Sequence, residues 1–353
     1  MRLYAAILRE DTWQPSTKAL NGLGKAKADF DRIEKYVDQA WTQITNMRQA
    51  HPVVDWQAVF LAPEYFFSNR RESNDRFFSH DVKRTIVQNL AALAKKYPKL
   101  LIVPGTVLWT KEQNKGTPED IRKRKDKMEW RSLFAEVFFG TNTKSKGWAY
   151  SGNPKGKNVR IAQNIAYVCL GDQIVKYAKV GNYKEVEGEK GDIVFSPGNI
   201  VGRFSVGGVK YALEICMDHA LGALDSTSFM GAVHVHLIVS SYVGFNQRNS
   251  AAVTLHSSTE SSAIKVATDQ GYGKAGEAPG TTKQLIVPRT QQVRFIEGGG
   301  ARVAAGFKNN PVKIGPLTIW AIDLDNQKLN ITNAGDYTIK DTALPSVSDK
   351  YLV

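Results

Sequence analysis

The chain alternates short, continuous apolar runs with longer stretches in which apolar residues recur every three or four positions. Leu3-Tyr4-Ala5-Ala6-Ile7-Leu8 reads as a first core strand. Phe30, Ile33, Val37, Trp41 and Ile44 then fall on one face of a helix, with charged residues opposite. Ala58-Val59-Phe60-Leu61 is a buried strand that ends at Pro63-Glu64. Ser79 is placed to cap a second helix, with Val82, Ile86, Leu90 and Leu93 on its inner face and Pro98 closing it. Leu100 to Val107 reads as one further buried strand. Strand, helix, strand, helix, strand is the order of a layered α/β fold.

From about residue 110 to 160 this rhythm gives way to a polar, basic segment that carries Arg122-Lys123-Arg124-Lys125. It is longer than most loops of compact domains. Because it also holds Trp130, Leu133, Phe134, Val137 and Phe138, it reads as an insertion with a short helix of its own. Strands resume at Ile165 to Leu170 and Gln173 to Tyr177, joined by Gly171-Asp172 as a two-residue turn. Phe204 to Lys210 and Tyr211 to Cys216 form a second hairpin around Gly207-Gly208. His234 to Tyr242 and Ser262 to Thr268 are further strands. A β-rich extension from about residue 280 follows, with strands at Gln284 to Val287, Val293 to Ile296, Leu317 to Leu324 and Tyr337 to Lys340. One domain spanning 1–353 accommodates all of these elements.

Composition sharpens the picture in three places. A formal charge of +13, from 47 Lys and Arg against 34 Asp and Glu, favours anionic partners or simply solubility. Cys169 and Cys216 are too few for a disulfide framework and fit a reducing compartment. The apolar start is too short for a signal sequence, and no run approaches the roughly 18 apolar residues of a membrane span. A soluble, cytoplasmic protein is the expectation.

Three polar residues stand at the ends of expected strands: Glu64, Lys179 and Cys216. Sites of open α/β sheets gather at strand ends, so residues distant in sequence can converge there. A free thiol at a strand end is, alone, ordinary packing. Together, though, a carboxylate, an ammonium and a thiol supply a base, an oxyanion stabiliser and a nucleophile. His234 and His236 share a strand face, as a metal pair would, but no third ligand is apparent, and no metal or cofactor is expected. Gly298-Gly299-Gly300 lacks the strand–helix context of a phosphate loop. The run Arg122 to Lys127 is a candidate face for an anionic partner. Glu119, Asp120, Asp126 and Glu129 dilute it, so a solvated surface is the plainer account.

The three stretches resemble the motifs of the nitrilase, or carbon–nitrogen hydrolase, superfamily. Ala62-Pro63-Glu64 is similar to its glutamate motif, and Tyr177-Ala178-Lys179-Val180-Gly181-Asn182 to its lysine motif, with Gly-Asn in place of the usual His-Leu. Glu214-Ile215-Cys216-Met217-Asp218 resembles its cysteine motif. Pro104-Gly105-Thr106, Asn164-Ile165-Ala166 and Phe195-Ser196-Pro197-Gly198 match smaller cues, in the same order, across Met1 to about Tyr242. The resemblance implies a four-layer αββα sandwich and a dimer. It also implies Cys216 as nucleophile, Glu64 as base and acid, and Lys179 with the Met217 backbone N–H as oxyanion donors. Glu187, eight residues after the lysine, becomes the second glutamate, with Glu185 and Glu189 as near alternatives. Tyr65, Met217, His219 and Tyr242 become the positions that contact substrate. The implied activity is hydrolysis of a non-peptide C–N bond in a small amide. Asp218 stands where true nitrilases usually carry Glu, which favours amidase over nitrile chemistry. Acyl transfer to an amine, or a catalytically weak binding protein that uses the basic insertion, are the alternatives.

Overall fold

The structure is a computed structural model. It describes residues 1–12, 19–69, 76–112, 160–181, 185–186, 193–224, 233–241, 243, 251, 253–259, 262–268, 271–274, 293–297, 300–302, 311–324 and 326–347. The segment 113–159, which holds nearly all of the expected basic insertion, lies outside the described residues, as does the expected strand at 284–287.

The fold is mixed α/β with two sheets. The larger is built on β1 (Arg2–Leu8), β2 (Trp56–Leu61) and β3 (Leu100–Val103), which run parallel, and continues into β4 (Thr106–Glu112), β5 (Arg160–Leu170), β6 (Gln173–Ala178) and β7 (Ile193–Phe195). The smaller contains β8 (Gly202–Val206), β9 (Val209–Ile215), β10 (Val235–Ser240), β11 (Val253–Ser258), β12 (Ser262–Thr268) and β13 (Gly271–Lys274), with β9, β10 and β11 parallel. The chain beyond residue 280 returns to both. In it, β14 (Val293–Glu297), β15 (Gly300–Arg302), β16 (Val312–Ile314) and β17 (Leu317–Leu324) extend the larger sheet beside β1, and β18 (Ile339–Lys340) pairs with β8. The C-terminal strands are thus integral to the chain's own sheets rather than an appendage.

Strand alternation explains the layering. Leu3, Ala5 and Ile7 of β1, with Val59 and Leu61 of β2, point to the same core as Leu213 and Ile215 of β9 and Leu237 and Val239 of β10. That core fills the space between the sheets. The alternate residues, Tyr4, Ala6, Ala58 and Phe60, meet Ile33, Val37 and Ile44 of α1 (Gly22–Ala50) and Ile86 and Leu90 of α2 (His80–Lys96). Each of those fully buried aliphatic side chains contributes about 1.5–3 kcal/mol. The oxygen of Ser79 accepts from the Val82 N–H at 3.3 Å, capping α2 as expected. Outside the smaller sheet, Ala212, Leu224, Val233 and Ala251 form a small apolar cluster near the short α3 (Met217–Leu221). Helices on the larger sheet and two stacked sheets are the architecture of the described residues. None of their helices is long and apolar enough to cross a membrane.

One of these strand expectations needs correction, and one strand was not expected. Leu100 to Val107 is not one strand: Pro104 and Gly105 break it, and Gly105 adopts φ 81°. The strand β11 gave no clear apolar signal, because Thr254, His256, Ser257 and Ser258 are buried polar residues within it.

At Gly105 a Cβ would lie 2.2 Å from the Pro63 carbonyl oxygen and 2.9 Å from Phe66 Cβ. Gly105→Ala is therefore expected to lose about 1–3 kcal/mol from backbone strain alone, and more from the clash against the segment that carries Glu64. Urea unfolding checks this, and an unshifted midpoint would show that the Pro63 turn yields freely.

Candidate active site

Glu64 follows β2, Lys179 follows β6, and Cys216 ends β9. The first two belong to the larger sheet and the third to the smaller, so the facing strand ends bring them together. Glu64 and Lys179 are fully buried, and Lys179 Nζ donates to Glu64 Oε1 at 2.8 Å. Asn164 Nδ2, from β5, donates to the same oxygen at 2.9 Å. Glu64 Oε2 is buried and has no hydrogen-bond partner among the described residues. The backbone N–H of Glu64 donates to the carbonyl of Ser240, at the end of β10, at 3.3 Å.

Lys179 also donates to Glu185 Oε1. Tyr65 Oη donates to both oxygens of Glu185 at 3.0 Å, and Arg76 holds the Glu185 carbonyl at 2.8 Å. The Tyr65 ring lies with its centroid 5.7 Å from the Lys179 ammonium. Sequence reasoning put the second glutamate at Glu187, which lies outside the described residues, as do Glu189 and Tyr242. Among the described residues, the glutamate of this loop that meets Lys179 is Glu185. No spacing rule would have singled it out from three glutamates in one loop.

Cys216 takes φ 47°, in the left-handed region that non-glycine residues rarely occupy. Simple alternation along β9 would put its sulfur on the face of Glu214. Instead the kinked backbone sets Cys216 with the core between the sheets, beside Ile215. Strain of this kind, of order 1–3 kcal/mol, persists only where the surroundings enforce it. Here the Cys216 N–H bonds the Val239 carbonyl at 2.9 Å, and its carbonyl accepts from His219 and Ala220 of α3 at 3.0 and 3.2 Å.

Asp218 anchors the turn to the lysine segment. Its carboxylate accepts from Tyr177 Oη at 2.7 Å, from the Val180 N–H at 3.0 Å, and from the Gly181 N–H. Burial raises its pKa to about 7 against the pull of those donors. Asp218 thereby ties the exit of β6 to the start of α3, across the two sheets.

The electrostatics of the cluster follow from burial and charge pairing. Burial pushes the Glu64 carboxyl up, Lys179 opposes, and Glu185 adds to the rise. Burial works against the Lys179 ammonium, but Glu185 and Glu64 outweigh it and hold it well above the ordinary lysine range. Burial also raises the Cys216 thiol, with Glu64 pushing the same way and Lys179 and the Ser241 backbone N–H pulling it down. At rest, then, the site holds a charged lysine and a protonated thiol whose titration depends on the carboxylate beside it.

His219 is not brought to this cluster. Its Nδ1 lies 2.8 Å from Glu214 Oε2 on the outer face of the smaller sheet, where His236 Nε2 stands 3.0 Å from the same oxygen. The reason is helical: His219 sits one turn into α3 and points down onto β9 and β10, not into the space between the sheets. Burial disfavours the charged Glu214, yet the two imidazoles outweigh it and hold its carboxyl below the usual range. Among the described residues, Glu214, His219 and His236 form the one trio with metal-capable donors gathered within 4.8 Å. So His236 does have neighbours that sequence reasoning lacked. His234 is not among them: its Nδ1 accepts from the Lys210 N–H at 3.2 Å. With Glu214 Oε1 taking the Leu224 N–H at 2.7 Å, the trio is accounted for as a cluster that holds both ends of α3 to the sheet. Met217 remains half-buried, and its side chain packs against Gly181.

No family model matches the chain, and no curated protein matches it. Among solved structures it is similar to Saccharomyces cerevisiae Nit3, a member of branch 10 of the nitrilase superfamily. That likeness has 14% identity and a TM-score of 0.43, and covers 93% of this chain and 92% of that one. It is also similar to a mutant of the Nesterenkonia AN1 amidase from the nitrilase superfamily, at 12% identity and a TM-score of 0.41, over 95% of each chain. These structural neighbours are nitrilase-superfamily proteins.

Replacing Lys179 by Met would leave Glu64 and Glu185 facing each other in a buried site. Lys179→Met is expected to lose about 3–5 kcal/mol of stability at neutral pH. Glu64, already pushed up by burial, would lose the ammonium that opposes the rise, so stability present at low pH is lost as pH rises through its folded pKa. The deficit should therefore shrink on acidification from pH 7 toward about pH 4.3, the unperturbed glutamate value. Urea unfolding across that range tests it, and a deficit that does not vary with pH would argue against the pairing.

Proposed function

We propose that this chain is a thiol-dependent hydrolase of non-peptide carbon–nitrogen bonds, of the amidase type, with Cys216 as nucleophile. The observation that carries the reading is the meeting of a buried ammonium with two buried carboxylates, one of them coupled to a thiol held on a strained strand-end turn. Structural packing alone gives no reason to gather these groups, since burying three charges is expensive.

The proposed steps fall into two half-reactions, in each of which Glu64 takes a proton and gives it back. The thiol proton passes to Glu64, whose Oε2 is the carboxylate oxygen left without a donor. The sulfur attacks the amide carbonyl, and the developing oxyanion is stabilised by Lys179 and by the backbone N–H of Met217. Glu64 then returns the proton to the leaving nitrogen, and ammonia or an amine departs as the C–N bond breaks, leaving a thioester on Cys216. Water, deprotonated by Glu64, attacks the thioester, and the carboxylic acid leaves as the thiol is restored. Glu185, held by Tyr65 and Arg76, takes the role assigned from sequence to the second glutamate, keeping Lys179 charged and aimed.

Incubation with a panel of short aliphatic amides, read by ammonia release and intact-protein mass, tests the proposal. The wild type is expected to release ammonia and to show an acyl adduct, and Cys216→Ala to show neither. Glu64→Gln should slow turnover by about 10²–10⁴-fold. Ammonia release that survives in Cys216→Ala would overturn the reading.

A further inference from the structure

Glu214, His219 and His236 meet on the outer face of the smaller sheet, away from the core in which Cys216 sits. They come from three elements, β9, α3 and β10, and all are buried. Glu214 Oε2 lies 2.8 Å from His219 Nδ1 and 3.0 Å from His236 Nε2, and the three donor atoms fall within 4.8 Å of one another. Two imidazoles and a carboxylate, with water completing the set, are a combination that zinc accepts. Zinc bonds of about 2.0–2.2 Å place tetrahedral ligand atoms roughly 3.3–3.5 Å apart. The two short gaps need to widen by only about half an ångström to admit the ion.

The surroundings also suit a ligand set. A ligating carboxylate is ordinarily hydrogen-bonded in turn, and Glu214 Oε1 takes the Leu224 N–H at 2.7 Å. Neither histidine has to be free of other contacts, because a ligating imidazole uses its second ring nitrogen for a supporting bond. Those nitrogens are His219 Nε2 and His236 Nδ1. Thr254 adds an independent observation. It is the register partner of His236 in the β10–β11 pair, so the two side chains share the outer face. Thr254 is fully buried, and its hydroxyl has no hydrogen-bond partner among the described residues. A buried hydroxyl in that state is uncommon, and a metal-bound water beside it would supply the partner.

We propose that Glu214, His219 and His236 bind one zinc ion, with a water as fourth ligand bonded to the Thr254 hydroxyl. As a hydrogen-bonded cluster the trio fastens α3 to the sheet. The ion displaces the protons that the imidazoles hold toward Glu214, and the same fastening is then made by coordinate bonds. Two of the ligands flank the proposed nucleophile, Glu214 two residues before Cys216 and His219 three residues after it. The ion would therefore brace the turn on which Cys216 is held at φ 47°. No step of the proposed hydrolysis passes through it, so the two readings fail separately.

The test is the zinc content of the full chain, purified from zinc-supplemented culture, dialysed against metal-free buffer and read by plasma mass spectrometry. The expected result is about one zinc per chain in the wild type, in Cys216→Ala and in His234→Asn. Glu214→Gln and His236→Gln should retain at least tenfold less, with circular dichroism confirming that they fold. Wild-type chain from cobalt-supplemented culture gives a readout that needs no variant. Its absorption should show the visible bands of a tetrahedral ion without the intense near-ultraviolet band of a thiolate ligand. The proposal is overturned if the wild type retains no zinc, or if Glu214→Gln and His236→Gln retain as much as the wild type. Loss of zinc in Cys216→Ala, or a thiolate band with cobalt, would overturn it equally by placing the ion on the sulfur.

Discussion

A single ammonium, Lys179, sits fully buried between two carboxylates, and much of the molecule serves to make that arrangement tolerable. One carboxylate would leave the pair close to balanced. Two oblige the surroundings to supply donors, and they do: Asn164 to Glu64, Tyr65 to Glu185. Each supporting residue comes from a different element, so the charge cluster can form only after the larger sheet has its β2–β3–β5–β6 neighbourhood in place. The ion pairs specify a geometry more than they add stability.

The parts of this design legible in the sequence were those expressed in period and punctuation. The strand before Glu64, the hairpin before Lys179 and the strand before Cys216 each announced themselves through alternation and a turn; the two strands are found within two residues of their expected bounds, while the hairpin's first strand starts five residues earlier, at Arg160. The direction in which a residue points was harder to read. Parity along β9 would have assigned Cys216 to the face of Glu214, and only a φ of 47° sends it inward. His219 follows three residues later and lands on the opposite face because it already belongs to α3. In the loop after Lys179, where no period exists, three nearby glutamates were indistinguishable by pattern; of the three, the described residues include Glu185, which meets Lys179.

Sheet order was likewise beyond reach. Nothing in Leu317 to Leu324 says that it pairs antiparallel with the first strand of the chain, Arg2 against Asp323 through Leu8 against Leu317. Such pairing is set by the competition among all strands for neighbours, which local pattern does not record. The break at Pro104–Gly105, by contrast, was visible in the residues themselves: a proline without an N–H beside a glycine free to take positive φ. Reading through it as one strand gave too much weight to the apolar run on either side.

Two hydrogen-bonded links span the gap between the sheets at the candidate site. One runs from the Glu64 N–H to the Ser240 carbonyl, the other from Asp218 to Tyr177, Val180 and Gly181. They act as a clasp. Sliding of one sheet over the other would carry the Cys216 sulfur out of register with the Glu64–Lys179 pair, which stays with the larger sheet. The three-residue cluster is therefore complete only when the two sheets are seated: the ion pair belongs to one of them, and the thiol is delivered by the other.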